Sequence, residues 1–257
     1  KQYMKILQVI NNFGRGGAPR LVRDIALGLK EQNIDVEICI LSSYIDIYSS
    51  ELQEKGIPIH KIASGLYDLK SLIWLKRHLK EYDVVHVHLF PALYWLSLSK
   101  FLFSYSGKLI FTEHNTYNRR RNYQWLQPLD KWIYSYYDKI INISYPVKKA
   151  LCQWIPDLKK RSIVIENGVD LKRFLDSTPA SITEIISKST DDLVLLLMVA
   201  SFEPRKDQDT LVYAMEYLPK NYHLLLVGSG SRENEVKKIA NQNNLSDRIH
   251  FLGFRTD

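Results

Sequence analysis

The sequence predicts an α/β fold in two units, each built on a parallel sheet covered by helices. Two observations predict this fold class. Short apolar runs alternate with amphipathic runs along the whole chain, which is typical of strand–helix repeats. Several strand-like runs are continuously apolar, as expected where helices cover both faces of a sheet. The 257 residues suffice for one large or two modest domains, and 46% hydrophobic with 25% charged residues is typical of a globular protein.

The first unit begins with a strand over Met4–Ile10 and a helix over Pro19–Asn33, in which apolar side chains recur at helical spacing. Further strands are predicted at Asp35–Leu41, Pro58–Ala63, Val84–Leu89, Lys108–His114, Lys139–Ser144 and Ser162–Glu166. Further helices are predicted at Leu69–Tyr82, Ala92–Tyr105, Asn122–Asp138 and Pro146–Ile155. This alternation indicates one parallel sheet wrapped by helices.

The rhythm breaks between Asp170 and Asp191, where Pro179, several Ser and Thr residues and a short helical stretch at Ile182–Ile186 occur. We therefore predict the interdomain connection here, with domains at residues 1–175 and 176–257. Strands then follow at Leu193–Ser201, Tyr222–Gly228 and Arg248–Gly253, with helices at Asp207–Leu218 and Ser231–Asn244. A doubly wound sheet commonly has about five or six strands, so we expect the second unit to be incomplete, with a free strand edge and exposed apolar surface.

Charge and cysteine content limit the function classes. A net charge of +7 with a pI near 9.2 indicates either anionic partners, such as phosphates, acidic membranes or nucleic acid, or simply a solvated basic surface. Cys39 and Cys152 are typical of small core residues in a reduced, cytoplasmic protein. The N-terminus shows no signal-peptide pattern, and the apolar run Leu89–Ser99 is too short to span a bilayer.

A glycine-rich turn, Asn11–Ala18, connects the first strand to the first helix. Glycine lets a ligand approach the backbone closely, and a helix N-terminus attracts anions, so Gly16 and Gly17 are candidates for phosphate binding. A tight structural turn explains the same residues equally well. The dinucleotide fingerprint GxGxxG is excluded, because Pro19 occupies its third glycine position and Glu233 does so in the later Gly228–Ser229–Gly230 stretch.

Three histidines lie in or at the end of predicted strands. His86 and His88 alternate onto one face, and without a nearby carboxylate or cysteine partner we expect buried, hydrogen-bonded rings rather than a metal site. His114 ends its strand and precedes Asn115. Because ligands of open α/β sheets bind at the carboxyl ends of strands, His114 is the candidate for direct chemistry.

Two cations, Arg205 and Lys206, precede the helix predicted from Asp207. Cations are unfavourable at a helix N-terminus unless an anion binds there, so either phosphate binding or a solvated loop explains them. Asp207–Gln208–Asp209 spells a DxD pattern. Since Asp is a common helix cap, we interpret it as a cap and not as a metal site.

These segments, in their order and spacing, resemble the family 4 glycosyltransferases of the GT-B fold, over essentially the whole chain. The resemblance implies a complete N-terminal Rossmann-like domain and the first part of a second one. It rests on GRGGAPRLVRDIALGL (Gly14–Leu29), DVVHVH (Asp83–His88), TEHN (Thr112–Asn115), IENGVDLKRF (Ile165–Phe174), VASFEPRKDQDTLVYAM (Val199–Met215), LLLVGSGSRENEVKKIA (Leu224–Ala240) and RIHFLG (Arg248–Gly253).

The resemblance implies a reaction in which a UDP- or GDP-sugar donates its sugar to an acceptor hydroxyl with retained anomeric configuration and without a metal. His114 would face the sugar as the catalytic residue. The implied donor- and phosphate-binding residues are Gly16, Gly17, Ser201, Arg205 and Lys206. Lys206 would neutralise the leaving diphosphate. The implied acceptor is a glycan or lipid-linked molecule of a bacterial surface polysaccharide or glycolipid.

The resemblance has two departures and one structural implication. Ser201 stands where the family often has arginine, and Arg205 lies close by. The family's pair of glutamates that contacts the donor lies beyond residue 257, so we expect this chain to be inactive by itself. Asn167–Gly168 is expected to form a turn that shapes the domain junction.

A second hypothesis is a non-catalytic module that docks on a partner or, as a peripheral protein, on the inner face of an anionic membrane. The basic charge supports it, and so do the aromatic residues Trp125, Trp132, Tyr134, Tyr136 and Tyr137, although core packing explains these as well. A nucleic-acid partner is not expected, because charge is the sole feature in its favour.

Overall fold

The computed structural model describes residues 4–14, 16–42, 47–178, 180–186 and 192–255. The chain forms two compact units, Lys1–Val169 and Asp170–Asp257. The predicted boundary after residue 175 lies a few residues C-terminal to this division after Val169. Of the predicted connection Asp170–Asp191, residue 179 and residues 187–191 lie outside the described residues, as does Arg15 of the glycine turn.

The first unit alternates strands and helices. Its strands are β1 (Lys5–Ile10), β2 (Asp35–Ile40), β3 (Ile59–Lys61), β4 (Val84–His88), β5 (Lys108–Glu113), β6 (Lys139–Asn142) and β7 (Ser162–Val164). Its helices are α1 (Gly17–Glu31), α2 (Ser49–Glu54), α3 (Lys70–His78), α4 (Ala92–Phe103), α5 (Gln127–Ser135) and α6 (Tyr145–Trp154). Short 3₁₀ turns follow α3 and α6 and precede α5.

The seven strands form one parallel sheet in the order β3-β2-β1-β4-β5-β6-β7. Alternate residues of the strands enter two separate core clusters. Leu7 and Val9 of β1 pack in one cluster, and Ile38 and Ile40 of β2 pack in the other. The helices therefore cover both faces of the sheet, as the continuously apolar strands predict. The strand order reverses between β1 and β4, so a ligand crevice is expected outside the carboxyl ends of these two strands.

The second unit contains α7 (Leu171–Leu175), α8 (Ile182–Ile186), β8 (Val194–Val199), α9 (Gln208–Ala214), β9 (Tyr222–Val227), α10 (Glu233–Gln242) and β10 (Ile249–Gly253). Its three strands form a parallel sheet in the order β10-β9-β8. Within the described residues β8 is an edge strand, and Leu197 and Val199 on it are 63% and 72% exposed. The predicted free edge with apolar surface is therefore present.

One predicted helix is wrong in its extent. Asn122–Asp138 was expected to be continuous, but α5 begins at Gln127, and 3₁₀ turns occupy Arg119–Asn122 and Gln124–Leu126. Pro128 explains the late start, because its fixed φ and missing N–H suit the first turn of a helix and disrupt an interior. Across the described ranges, the helices lack the combination of length and apolar run that a bilayer crossing requires.

Candidate active site

The glycine turn after β1 lies at the reversal of strand order. Asn11, the residue that follows β1, holds the turn against the loop that follows β4. Its Nδ2 donates to Phe90 O at 2.6 Å, and its Oδ1 accepts from Ala92 N at 3.3 Å. Within the turn, Gly14 N donates to Asn12 Oδ1 at 3.0 Å. These polar contacts order the entrance of the expected crevice.

Gly16 and Gly17 begin α1. Gly16 is the N-cap residue, no described side chain caps the first turn, and no acidic side chain lies in that turn. Both glycines are exposed. A Cβ on Gly17 would meet nothing within 4 Å, and a Cβ on Gly16 would meet only the Pro19 side chain at 3.7 Å. Packing of the described residues therefore does not require glycine at either position.

His114 lines a pocket of about 40 Å³ at the carboxyl ends of β4 and β5, together with Leu89, Phe90, Glu113 and Asn115. That volume is large enough for a few water molecules or for a polar substituent of a ligand. The half-buried His114 side chain is thus placed at the strand end where the sequence predicts it.

The two strand histidines are buried and hydrogen-bonded, as expected. His86 Nε2 lies 2.7 Å from Thr112 Oγ1, and His88 Nε2 lies 2.9 Å from Gln8 Oε1. Their ring centroids are 4.2 Å apart, so they share one face of the sheet. His88 Nδ1 lies 3.3 Å from His114 Nε2, which links the buried pair to the pocket.

Burial keeps these three rings uncharged near neutral pH. Burial lowers the pKa of His114 to about 4. Burial and then the neighbouring His114 lower the pKa of His86 to about 3. Burial and the two adjacent imidazoles hold the pKa of His88 well below its usual range. A neutral imidazole has one N–H donor and one acceptor nitrogen, so His114 offers hydrogen bonding without charge.

Glu113 fixes the loop that carries His114. Its Oε2 accepts from Arg121 Nη2 at 2.9 Å and from the Tyr134 hydroxyl at 3.0 Å. Its Oε1 accepts from Asn115 N at 3.4 Å. The Glu113 side chain is 7% exposed. The ion pair with Arg121 therefore compensates this buried carboxylate and orders residues on both sides of His114.

A second buried carboxylate holds the same loop. Asp130 accepts hydrogen bonds from Arg120, from the Tyr94 hydroxyl and from Trp154 Nε1. The Arg120 guanidinium also lies 4.7 Å from the Phe90 ring centroid. The basic triplet Arg119–Arg121, the densest charge run of the sequence, is thus largely neutralised, since two of its three members are paired with buried carboxylates.

In the second unit the candidate residues follow β8. The Ser201 carbonyl accepts from Gln208 Nε2 and from Glu203 N, both at 2.9 Å. Arg205 is 70% exposed and its Nε lies 2.8 Å from Glu203 Oε2. The exposed Lys206 donates its backbone N–H to Glu203 O at 2.9 Å, and its side chain makes neither a hydrogen bond nor an ion pair with any described residue. Of the two cations in this loop, Arg205 is paired with Glu203 and the Lys206 side chain is not paired with any described residue.

The two carboxylates of the DxD pattern have other partners. Asp207 precedes α9, and its Oδ2 accepts from the Thr210 hydroxyl at 2.8 Å. Asp209 Oδ2 lies 2.6 Å from Arg232 Nη2. Asp207 therefore occupies the N-cap position of α9 but does not cap it, because its side chain makes no hydrogen bond to a backbone N–H of the first turn. Asp209 links α9 to the start of α10. No group of three or more potential metal ligands was found among the described residues.

Sequence reasoning missed a role for Gly228 and Gly230, considered only as a failed dinucleotide fingerprint. Gly228 has a φ of +143°, and a Cβ on it would lie 2.0 Å from the Ala200 carbonyl oxygen. A Cβ on Gly230 would lie 2.4 Å from the Phe202 carbonyl oxygen. The two glycines allow the loop after β9 to pack against the loop that leads to Lys206. Glycines directly after a predicted strand were the available signal.

The predicted turn at Asn167–Gly168 is wrong. Both residues are exposed and lie in an irregular stretch between β7 and α7, without a turn. Among the described backbone hydrogen bonds, none closes a turn there, and Gly168 does not adopt a left-handed φ. An Asn-Gly pair favours a turn only where the chain reverses, and here it continues into α7.

Comparison with known proteins identifies the family. The sequence profile described as Glycosyltransferase Family 4 matches residues 15–173. The profile described as Glycosyl transferases group 1 matches residues 182–257. The chain is 22% identical to the O-antigen biosynthesis glycosyltransferase WclY of Escherichia coli, over 98% of this chain and 69% of WclY.

Solved structures share the fold. Anabaena HepE in complex with UDP-glucose superposes with a TM-score of 0.82 at 20% identity, over 99% of this chain and 70% of HepE. A glycosyltransferase from Rickettsia africae superposes with a TM-score of 0.73 at 22% identity, over 100% of this chain and 70% of that protein. These neighbours confirm the GT-B type of fold. Because the family 4 profile covers more than half of the sequence, the chain belongs to glycosyltransferase family 4.

Proposed function

We propose that this protein is a retaining glycosyltransferase. It moves a sugar from a UDP- or GDP-sugar to a hydroxyl of a glycan or lipid-linked acceptor, in the synthesis of a bacterial surface polysaccharide or glycolipid. The observation that carries the proposal is the pocket beside His114, at the reversal of strand order in a chain of this family. The UDP-glucose bound to HepE and the O-antigen role of WclY support the donor and the product class.

In the first unit, the proposed contacts are made by uncharged groups. The amides at Gly16 and Gly17 face the donor phosphates, where a helix N-terminus favours negative charge. His114 hydrogen-bonds a hydroxyl of the sugar next to the reacting carbon. An uncharged ring suits this role, because a sugar hydroxyl both donates and accepts hydrogen bonds.

In the second unit, Lys206 is proposed to act on the leaving group. When the bond between the sugar C1 and the phosphate oxygen breaks, negative charge develops on the nucleoside diphosphate. A positioned cation stabilises that charge in the transition state and can accelerate the step by about 100-fold or more. Arg205 and Ser201 assist in holding the phosphates, and the reaction is proposed to need no metal.

Binding provides the first test, because the proposed contacts of Gly16, Gly17, His114 and Lys206 all predict affinity for a donor. The chain is titrated with UDP, GDP and a panel of UDP- and GDP-sugars while melting temperature and NMR shifts are followed. We expect saturable shifts with one nucleotide class, weakened about tenfold by Lys206→Ala. If no nucleotide or sugar nucleotide changes either signal, the transferase proposal fails.

A second proposed property is peripheral contact with an anionic membrane, at the cytoplasmic face. Of the aromatic residues that the sequence suggested for this contact, Tyr134 and Tyr137 are buried in the core and Trp125 is 75% exposed. Trp125 lies near Tyr117 and Tyr123, which are 66% and 46% exposed, and the exposed Arg119. Aromatic side chains with a neighbouring cation suit a lipid headgroup region.

Sedimentation with phosphatidylglycerol vesicles tests this contact. We expect Trp125→Ala to lower vesicle binding and about 0.5 M salt to abolish it, since the electrostatic part is screened. Tyr217→Ala is the matched control, because Tyr217 is 86% exposed but lies in the second unit. Equal binding to uncharged vesicles, or an equal loss in the control, would exclude the proposed membrane surface.

A further inference from the structure

Three side chains from adjacent strands form a buried hydrogen-bond chain that ends at the pocket. Gln8 lies on β1 and His88 on β4, and both are buried, at 1% and 0% exposure. Gln8 Oε1 lies 2.9 Å from His88 Nε2, and His88 Nδ1 lies 3.3 Å from His114 Nε2. This hydrogen-bond chain crosses from β1 to β4, where the strand order reverses, and ends at the half-buried His114 ring that lines the pocket.

The amide oxygen of Gln8 determines which atom donates and which accepts in both hydrogen bonds. An amide oxygen accepts and cannot donate, so His88 Nε2 must carry the proton that Gln8 Oε1 accepts. A neutral imidazole has a single N–H, so His88 Nδ1 accepts, and the proton between the rings belongs to His114 Nε2. His114 is then also limited to one proton, and its Nδ1 carries a free lone pair.

We propose that Gln8 and His88 are positioning residues that hold the His114 ring in one orientation with its proton on Nε2 and a lone pair on Nδ1. The inference rests on the proposed function in one respect, since it assigns His114 the role of accepting a hydrogen bond from a donor-sugar hydroxyl. The ligand class is therefore a nucleotide sugar with a free hydroxyl at that position.

Neighbouring groups do not replace this chain. His86 lies beside His88, but its Nε2 is paired with Thr112 Oγ1 and not with His114. Glu113 is paired with Arg121 and Tyr134. In the described part of the chain, no carboxylate hydrogen-bonds to any of these three histidine rings. The burial that lowers the pKa of each ring keeps the chain neutral at pH 7, which the single-proton argument requires.

The first test reads the proton position directly. The protein is labelled with ¹⁵N-histidine, and the ring nitrogens of His114 are observed by NMR at pH 7. We expect a neutral wild-type ring with its proton on Nε2. In Gln8→Met, which keeps the side-chain length but removes the acceptor, His88 can move its proton to Nδ1 and donate to His114. The tautomer ratio of His114 should then change by about three- to tenfold.

Tyr105→Phe is the matched control. The Tyr105 hydroxyl is buried and donates to Tyr82 O at 2.8 Å. Its loss therefore also removes one buried hydrogen bond from the first unit, but this bond is not part of the Gln8–His88–His114 hydrogen-bond chain. The control should leave the His114 ratio at its wild-type value. A wild-type proton on Nδ1, or equal ratios in Gln8→Met and Tyr105→Phe, would overturn the inference. The wild-type measurement decides even if Gln8→Met does not fold.

The second test separates this inference from the proposed function. Dissociation constants for UDP and for UDP-glucose are compared in wild type, Gln8→Met and Tyr105→Phe. We expect Gln8→Met to weaken UDP-glucose about three- to tenfold and to leave UDP unchanged, because His114 contacts only the sugar. Equal weakening of both ligands would contradict the positioning role. If neither ligand binds to wild type, a UDP-sugar donor is excluded, and the tautomer measurement still decides the hydrogen-bond chain.

Discussion

Gly17→Ala separates the needs of the fold from the needs of a ligand at the start of α1. Gly17 is exposed, and a Cβ there would meet no described atom within 4 Å. Its φ is outside the left-handed region, so alanine can adopt the native backbone. The added methyl group therefore disturbs nothing that the structure describes, and any loss of function must come from a molecule that approaches this backbone.

The substitution should change stability and donor affinity in opposite directions. Alanine is a better helix former than glycine by up to about 1 kcal/mol, so the free energy of unfolding should stay the same or rise slightly. A phosphate that loses about one charge-assisted hydrogen bond to the amides loses about 1.5–3 kcal/mol of binding. Donor affinity should therefore fall about 10- to 150-fold.

Calorimetric or NMR titration with UDP and urea denaturation measure the two quantities on the same samples. Gly28→Ala provides the matched control, because Gly28 lies in the interior of the same helix and a Cβ there also meets nothing within 4 Å. The control should gain stability by about 0.5–1 kcal/mol and keep wild-type affinity for UDP.

Two results would refute this reasoning. If Gly17→Ala keeps wild-type affinity for a nucleotide that binds the protein, the glycine turn is only a structural turn. If Gly17→Ala unfolds the protein, the fold requires glycine at this position for a reason that the described contacts do not explain. An equal loss of affinity in Gly28→Ala would indicate an indirect effect through the helix.

Three further predictions test other parts of the structure. Lys206→Ala should weaken UDP binding about tenfold and Arg205→Ala less, because Arg205 is already paired; equal losses in calorimetry would contradict this. The free energy of unfolding should fall as pH drops below about 6.5, because the pKa values of His86 and His114 are lowered to about 3 and 4 in the folded protein. By pH 5 each of these histidines should have reduced the free energy of unfolding by about 2 kcal/mol, and urea midpoints that do not change with pH would contradict this. Gly228→Ala should destabilise the second unit by about 1–3 kcal/mol, because its Cβ would meet a backbone carbonyl at 2.0 Å; an unchanged melting temperature would refute it.

The strands of the first unit could be predicted closely from the sequence, because helices cover both faces of its sheet and the apolar runs end where burial ends. The predicted strand Val84–Leu89 corresponds to β4, and Lys139–Ser144 to β6, within two residues at each end. Helix boundaries were less predictable where turn chemistry competes with amphipathic pattern. Pro128 carried the signal for the true start of α5, whereas the aromatic spacing before it resembled a continuing helix.

Some parts of the candidate site could be predicted from local sequence, whereas others depend on contacts between residues that are far apart in sequence. The positions of His114 and Lys206 follow from strand ends and could be predicted. The Gln8–His88–His114 chain could not, because Gln8 and His88 are 80 residues apart and meet only through the strand order. The pairing of Glu113 with Arg121 is close in sequence, but nothing in the pattern indicated that this carboxylate is buried.

The two units present different chemistry at their candidate residues, and this difference favours a division of roles. In the first unit, Arg120 and Arg121 are paired with buried carboxylates, and the buried histidines are neutral, so backbone amides and uncharged rings remain for a ligand. In the second unit, the Lys206 side chain has no described partner. The uncharged rings suit a sugar, and the Lys206 cation, in addition to the amides of the glycine turn, suits a diphosphate. Salt should therefore weaken binding of UDP strongly, while the additional affinity contributed by the sugar should depend little on salt.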